Sequence, residues 1–250
     1  MITLKSSREI EIMARAGCIV AGTLALMREI VRPGMTTEDL DAAAETFIRS
    51  HEGAVPSFKG LYGFPKTLCT SIDDEIVHGI PSARRVLSEG SIVSVDVGVL
   101  LEGLHADSAT TLAVGRVDPA AERLLQVTRD SLAAAITQAR VGNHVGDIGH
   151  AVQRVAEGAG YGVVRELVGH GIGARFHEEP QVPNYGSPRR GPRLLEGMTL
   201  AIEPMITMGN PTTRTLTDKW TVVTADGSLS AHFEHTVAIT ADGPRILTAA

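Results

Sequence analysis

The sequence predicts an α+β fold made of two similar halves that meet at a shared interface. Three observations predict it. Helical apolar stripes alternate with β-branched runs, helix, turn, helix and strand recur in the same order, and the recurrence has nearly one offset. At an offset of 108, Gly34 meets Gly142, Asp39 meets Asp147, Leu40 meets Ile148, Ala43 meets Ala151 and Phe47 meets Val155. At an offset of 107, EGSIVSVD (Glu89 to Asp96) lies over EGMTLAIE (Glu196 to Glu203), which makes Asp96 and Glu203 equivalent. The expectation is a single domain over residues 1–250 with pseudo-repeats at 7–115 and 116–247.

Each element has its own signal. Ser6 and Glu9 have capping-box spacing ahead of the stripe Ile10, Met13, Gly17, Val20, Leu24 and Met27, and this first helix ends before Pro33-Gly34. TTEDLDAAAETFIRSH gives a second helix; TLCTSI and EIVHGI give strands. In SIVSVDVGVLLEGLHADSATTLAVG (Ser91 to Gly115), Val93, Val95, Val97 and Val99 mark a strand, and Glu102-Gly103 supplies a hairpin turn. Asp118-Pro119 starts a long helix that Gly142 is expected to stop, and DIGHAVQRVAEGAG forms a shorter one.

Composition narrows the function. With 250 residues, 43% of them hydrophobic, the chain can bury a large core. A formal net charge of −6 argues against a broad nucleic-acid surface. Two cysteines, Cys18 and Cys69, without metal-ligand spacing fit a reducing compartment. The start MITLKSSREIEIMARAG has no apolar leader core, and no later run is read as reaching the roughly 18 apolar residues of a membrane helix. A soluble, cytoplasmic protein is expected.

The hairpin poses a chemical problem. The 11-residue separation of Asp96 and Asp107 puts both carboxylates on one face, opposite or diagonal to each other. Facing carboxylates in apolar surroundings are destabilising unless a positive charge lies between them. Other polar residues also sit in strand-like or glycine-rich contexts: His78 in DDEIVHGIP, His170 and His177 in GHGIGARFHEEP, Glu203 in LAIEPM and Glu234 in AHFEHT. Four carboxylates and an imidazole suit a pair of divalent ions that shared carboxylates could bridge. Singly, each has a plainer reading: an exposed strand aspartate, a turn histidine, an edge charge. The duplication and the hairpin together favour the metal site.

On these residues the chain resembles the type I methionine aminopeptidases over nearly its whole length. DEIVHGIP, VDVGV through GLHADSATT, GHGIGARFHEEPQV, AIEPM and WTV to SLSAHFEHT stand in that family's order and spacing. The resemblance implies the pita-bread fold of the creatinase/aminopeptidase type, with two pseudo-twofold-related αβ halves around a curved antiparallel sheet. It also implies two divalent ions, cobalt, manganese, iron or zinc, held by Asp96, Asp107, His170, Glu203 and Glu234, with Asp107 and Glu234 bridging. His78 would lie beside the departing amide, His177 at the scissile carbonyl, and Glu203 would shuttle the proton. A methionine pocket would use Phe58, Phe64, Cys69, Phe176 and Trp220. Departures from the family pattern are Leu61-Tyr62, where Tyr and His are common, Gly98, where Thr is frequent, and Leu167-Val168, where Tyr-Cys is common.

The implied activity is removal of N-terminal methionine from new chains, with preference for a small second residue, by a single catalytic domain. Nascent peptide N-termini are the expected partners, with a transient ribosome contact, no membrane, no specific nucleic-acid binding and a monomeric state. Two other readings remain open. A prolidase-like X-Pro hydrolase would usually carry an added N-terminal domain, and a silent peptide-binding module would typically have lost ligands.

Overall fold

The computed structural model describes residues 2–249; Met1 and Ala250, the ends of the expected 1–250 span, lie outside the described residues. Helix α1 (Ser7–Ile30) opens on the expected capping box: Ser6 Oγ accepts from Glu9 N–H at 3.3 Å, and the Glu9 carboxylate accepts from Ser6 N–H at 2.7 Å. Helix α2 (Thr37–Arg49) repeats the device with Thr36 and Asp39. Over an 18-residue window α1 has a mean hydropathy of 1.6, enough by length and composition for a membrane span, contrary to the expectation that no run reaches that measure. Here it is a core helix. Ala16, Val20, Leu24 and Met27 pack with Leu40, Ala44 and Ile48 of α2 against the strands beneath.

Those strands are β1 (Val55–Pro56), β2 (Leu68–Ile72), β4 (Ile92–Leu101) and β5 (Leu104–Ala113), all antiparallel, while β3 (Glu75–Val77) joins a different ladder. Along β4, Val93, Val95, Val97 and Val99 enter the core under α1 and α2. Period-two alternation turns Asp96 and Gly98 the other way. The β4–β5 register pairs Leu101 with Leu104 across Glu102-Gly103, whose φ values of 48° and 82° give a tight turn of the primed type.

The second half begins with α3 (Pro119–Gln138), capped by Asp118. It stops four residues before Gly142 because the following turn swings back to the 194 segment, where Gly142 N–H donates to the Leu194 carbonyl at 3.0 Å. Helix α4 (Val145–Gly158) starts two residues earlier than DIGHAVQ suggested, since the Asp147 carboxylate accepts from His144 N–H at 2.7 Å and fixes the first turn. Isolated bridges join Thr36 to Val86 and His144 to Arg193 at corresponding places in the two halves.

The remaining strands are β6 (Gly162–Val163), β7 (Gly169–Gly171), β8 (Glu178–Val182), β9 (Thr199–Ile202), β10 (Met205–Thr207), β11 (Thr213–Thr215), β12 (Val222–Thr224), β13 (Ser230–His232), β14 (His235–Thr240) and β15 (Gly243–Ile246). They form the ladders β15-β14-β9-β7-β8, β13-β10-β6 and β11-β12-β3. With the β4 ladder, the expected curved sheet is therefore four antiparallel ladders. The break between β9 and β10 falls at Glu203-Pro204, where proline offers no N–H to continue the pairing. Leu200, Ile202, Ile206, Val237 and Ile239 form a second core with α3 and α4. Between the two helix-backed cores lies a third cluster that includes Phe58, Phe64, Cys69 and Phe176.

Candidate metal centre

The turned-out residues of β4 and β5 meet the end of β9 and the β13–β14 segment at a cavity of about 140 Å³. Asp96 pairs with Ala109 and Gly98 with Asp107, so the two aspartates are diagonal neighbours on one face. Across the interface the halves are stitched by backbone and side-chain hydrogen bonds. Asp107 N–H donates to Thr236 Oγ1 at 2.9 Å, and the same hydroxyl donates to the Asp107 carbonyl at 2.8 Å. Ser108 Oγ donates to the Glu234 carbonyl, and Glu234 N–H donates to the Ala109 carbonyl at 3.0 Å. These bonds set Asp107 of β5 and Glu234 of the β13–β14 link on opposite sides of one junction.

One donor atom each from Asp107, His170 and Glu234 lie within 4.8 Å of one another, all buried. His170 occupies the middle of β7, paired with Ala201 of β9, and Glu203 follows β9 on the Ala201 side. His170 Nδ1 is 2.8 Å from the Gly171 carbonyl, which can only accept, so Nδ1 carries the proton and Nε2 offers a lone pair. That lone pair lies 3.7 Å from Glu203 Oε1. Asp96 and Glu203 stand outside the tightest group but line the same cavity.

Asp96 Oδ1, Asp107 Oδ1 and Glu234 Oε1 are buried without any hydrogen-bond partner. Such groups are costly unless a cation satisfies them. Burial raises all four acids. Asp96 rises to about 6, with nearby His232 opposing the shift and Glu203 adding to it, and Glu203 rises to about 8. Asp107 is pushed up by burial and then by Asp96 and Glu203; Glu234 by burial and then by Asp107, Glu203 and Asp96. Burial lowers His170 to about 3 and His78 to about 4, which keeps both imidazoles neutral at pH 7. Oxygen-rich, orphaned and paired with a neutral imidazole, this donor set fits divalent cations.

All twelve residues singled out in the sequence line the cavity: Asp96, Asp107, His170, Glu203 and Glu234 at its floor, His78 and His177 beside them, and Phe58, Phe64, Cys69, Phe176 and Trp220 as an apolar wall. His78 follows β3 with φ 62°, and neighbouring Gly79 lets the Thr70 carbonyl approach to 2.1 Å from where a Cβ would stand. The wall is a set of edge contacts: Phe58–Phe176 at 5.3 Å, Phe58–Phe64 at 6.5 Å and Phe64–Trp220 at 5.1 Å. A Cβ on Gly98 would lie 2.9 Å from Phe176 and Ser57 and 3.1 Å from Phe58, so the missing side chain is what lets the wall close on the acidic strand.

Leu61 and Tyr62 also line the cavity; in the sequence they stood out only as departures. The Tyr62 ring stacks on His177 at 5.7 Å and 14°, with its hydroxyl 3.3 Å from Nδ1. His232 was missed altogether. It lies beside the floor, 3.6 Å from Glu203, and its signal was the period-two spacing His232-Phe233-Glu234 in AHFEHT.

Residues 11–241 match the model of metallopeptidase family M24. The methionine aminopeptidase of Clostridium acetobutylicum is 52% identical over 99% of each chain, and methionine aminopeptidase 1 of Bacillus subtilis is 49% identical over 99% of each. The crystal structure of methionine aminopeptidase from Thermotoga maritima superposes with a TM-score of 0.98 at 44% identity, covering 100% of both chains. The prolidase from Pyrococcus furiosus shares the fold at a TM-score of 0.79 and 22% identity, covering 99% of this chain and 65% of its own.

Proposed function

The chain belongs to metallopeptidase family M24, and from that premise we propose that it removes the N-terminal methionine of newly made proteins and peptides, favouring a small second residue. The carrying observation is the floor itself: buried carboxylates with orphan oxygens beneath an aromatic wall. Asp96, Asp107, His170, Glu203 and Glu234 would hold two divalent ions; cobalt, manganese, iron and zinc all accept such ligands. When bound, the ions supply Lewis acidity and bring the pKa of a water down toward about 7.

The side chains divide the remaining work. Glu203 takes the proton of the attacking water and passes it to the leaving amine. His177 donates to the scissile carbonyl oxygen as charge builds there, and neutral His78 faces the departing amide. The methionine side chain enters among Phe58, Phe64, Cys69, Phe176 and Trp220, where sulfur–aromatic contacts contribute about 0.3–1.5 kcal/mol each. Such contacts are weak enough that shape must supply much of the selection.

The same reading makes the chain one catalytic domain of two repeats, 7–115 and 116–247, supported by the matching bridges Thr36–Val86 and His144–Arg193. Its partners are nascent chain N-termini, and its place of action is the cytosol, in keeping with two free cysteines. The test is release of the first residue from Met-Ala, Met-Leu, Leu-Ala, Ala-Pro and acetyl-Met-Ala at one fixed manganese concentration. Met-Ala should be cleaved fastest and acetyl-Met-Ala not at all, with activity lost on chelation. Faster cleavage of Ala-Pro than of Met-Ala would transfer the activity to the prolidase type, and no turnover with metal bound would leave a peptide-binding module.

A further inference from the structure

We propose that His232 is the positioning residue for Glu203: its Nε2–H holds Glu203 Oε2 and so keeps Oε1 turned toward the His170 side of the floor. The proposal rests on the reading of Glu203 as a metal-holding group. Its backbone is fixed first. Thr111 Oγ1 accepts from His232 N–H and donates to its carbonyl, both at 2.9 Å, which leaves Ser94 Oγ, 2.8 Å away, to donate to Thr111. Register then pairs His232 of β13 with Met205 of β10, two residues past Glu203.

The ring is 1% exposed, and neither Nδ1 nor Nε2 has a hydrogen-bond partner. A neutral imidazole carries one N–H, and a buried donor seeks an acceptor. Glu203 provides it. Its carboxylate lies between two imidazoles, with Oε1 3.7 Å from His170 Nε2 and Oε2 3.6 Å from His232 Nε2. The two sides are chemically unlike. His170 has spent its proton on the Gly171 carbonyl and can only accept at Nε2, whereas His232 is uncommitted and can donate. A separation of 3.6 Å is closed by a small carboxylate rotation or by one bridging water.

Two other roles fit less well. His232 contributes no atom to the close group of Asp107, His170 and Glu234, as a further ligand would, and it is not among the residues lining the cavity, as a substrate contact would be. It acts through Glu203.

The experiment titrates manganese alone into chelator-stripped protein by calorimetry, which requires no peptidase activity. His232→Leu should weaken binding by about 10–100-fold, the usual cost of losing a partner that orients a ligand, while His232→Gln, which keeps a donor, should stay within about threefold. In a Glu203→Gln background, His232→Leu should cause no further loss. With Met-Ala, kcat should fall and KM hold. Equal weakening by Gln and Leu, or an additive loss in the Glu203→Gln background, would overturn the proposal. Long-range proton–nitrogen NMR of the unmutated protein gives a second readout that no folding defect can obscure: Nε2–H at His232 is expected, and an Nδ1–H tautomer there would contradict it. Manganese binding with this pattern but no cleavage of Met-Ala would sink the peptidase reading and leave the role of His232 standing.

Discussion

Asp107 and Phe176 line the same cavity and are almost equally buried, 3% and 5% exposed, yet they stand in opposite energetic positions. Phe176 is surrounded by partners: Phe58 at 5.3 Å, His105 and His170 at 5.5 Å and His177 at 4.8 Å. Asp107 Oδ1 has none, and its nearest charged neighbours are other carboxylates. The wall is thus complete as folded, and the floor is complete only with cations. Burial that stabilises one destabilises the other, because desolvation favours apolar surface and penalises charge. Substitutions in the two regions should therefore separate stability from activity.

The largest effect is expected at the floor. Asp107→Asn should abolish metal binding and lower turnover on the order of 10⁴-fold, the scale seen when a member of an essential catalytic unit is removed. Removing one of several facing carboxylates also relieves repulsion, so the metal-free variant should melt at or above the wild-type temperature. A marked drop in melting temperature of the metal-free variant would make Asp107 a structural partner instead. Next in size is His177→Ala, which should lower kcat by about 10²–10³-fold with metal content unchanged, as for loss of an oxyanion donor. His170→Ala should lose metal first; equal metal loss in both would erase the division between floor and mouth.

A third effect is a pH slope in the metal-free protein. Glu203 titrates near 8, and Asp107 and Glu234 are also raised, above their unfolded values near 4. Groups raised in the folded state lend stability below the unfolded pKa and lose it as pH climbs through the folded one. Below pH 6.5 the lowered histidines His78, His105, His170, His177, His232 and His235 work in the other sense, since folding excludes protons that the unfolded chain binds. Above pH 6.5 the carboxylates dominate. Stability of chelated protein should fall from pH 6.5 to 8 by about 1.4 kcal/mol per pH unit for each proton released, measured by denaturant unfolding. A flat profile would mean that the floor is not strained by its own charge.

The smallest effect belongs to the wall. Trp220→Leu removes one aromatic member of the wall, and a sulfur–aromatic contact to the methionine side chain is worth about 0.3–1.5 kcal/mol. KM for Met-Ala should rise about three- to tenfold with kcat and metal content unchanged. A change in bound metal would show that wall and floor are not separable.

The same contrast governs what was legible in the sequence. The hairpin register could be read from the valine alternation and Glu102-Gly103, and with it the diagonal of Asp96 and Asp107, because period two fixes faces wherever one side is buried. The caps of α1 and α3 were equally plain. Helix ends were less so: α3 stops early and α4 starts early because of bonds from Gly142 to Leu194 and from His144 to Asp147 that join distant or neighbouring turns. The split of β9 and β10 into separate ladders at Pro204 was not foreseen, although the proline that causes it is in the sequence. His232 went unseen because an imidazole shows no function until the group it faces is known, and Glu203 reaches it only through the β10–β13 pairing. Gly98 was noticed only as a departure; its use, close approach of Phe58 and Phe176, is a matter of tertiary packing.

The central claim is that the floor folds around charge it cannot satisfy alone. It is tested most directly by anaerobic calorimetric titration of manganese into chelator-stripped protein, with proton release followed in two buffers of different ionisation heat. Two ions should bind per chain, with protons released at pH 7 because the raised Glu203, Asp107 and Glu234 must ionise to bind them. Asp107→Asn should show neither. Binding of manganese to Asp107→Asn with the affinity and proton release of the wild type would contradict the account.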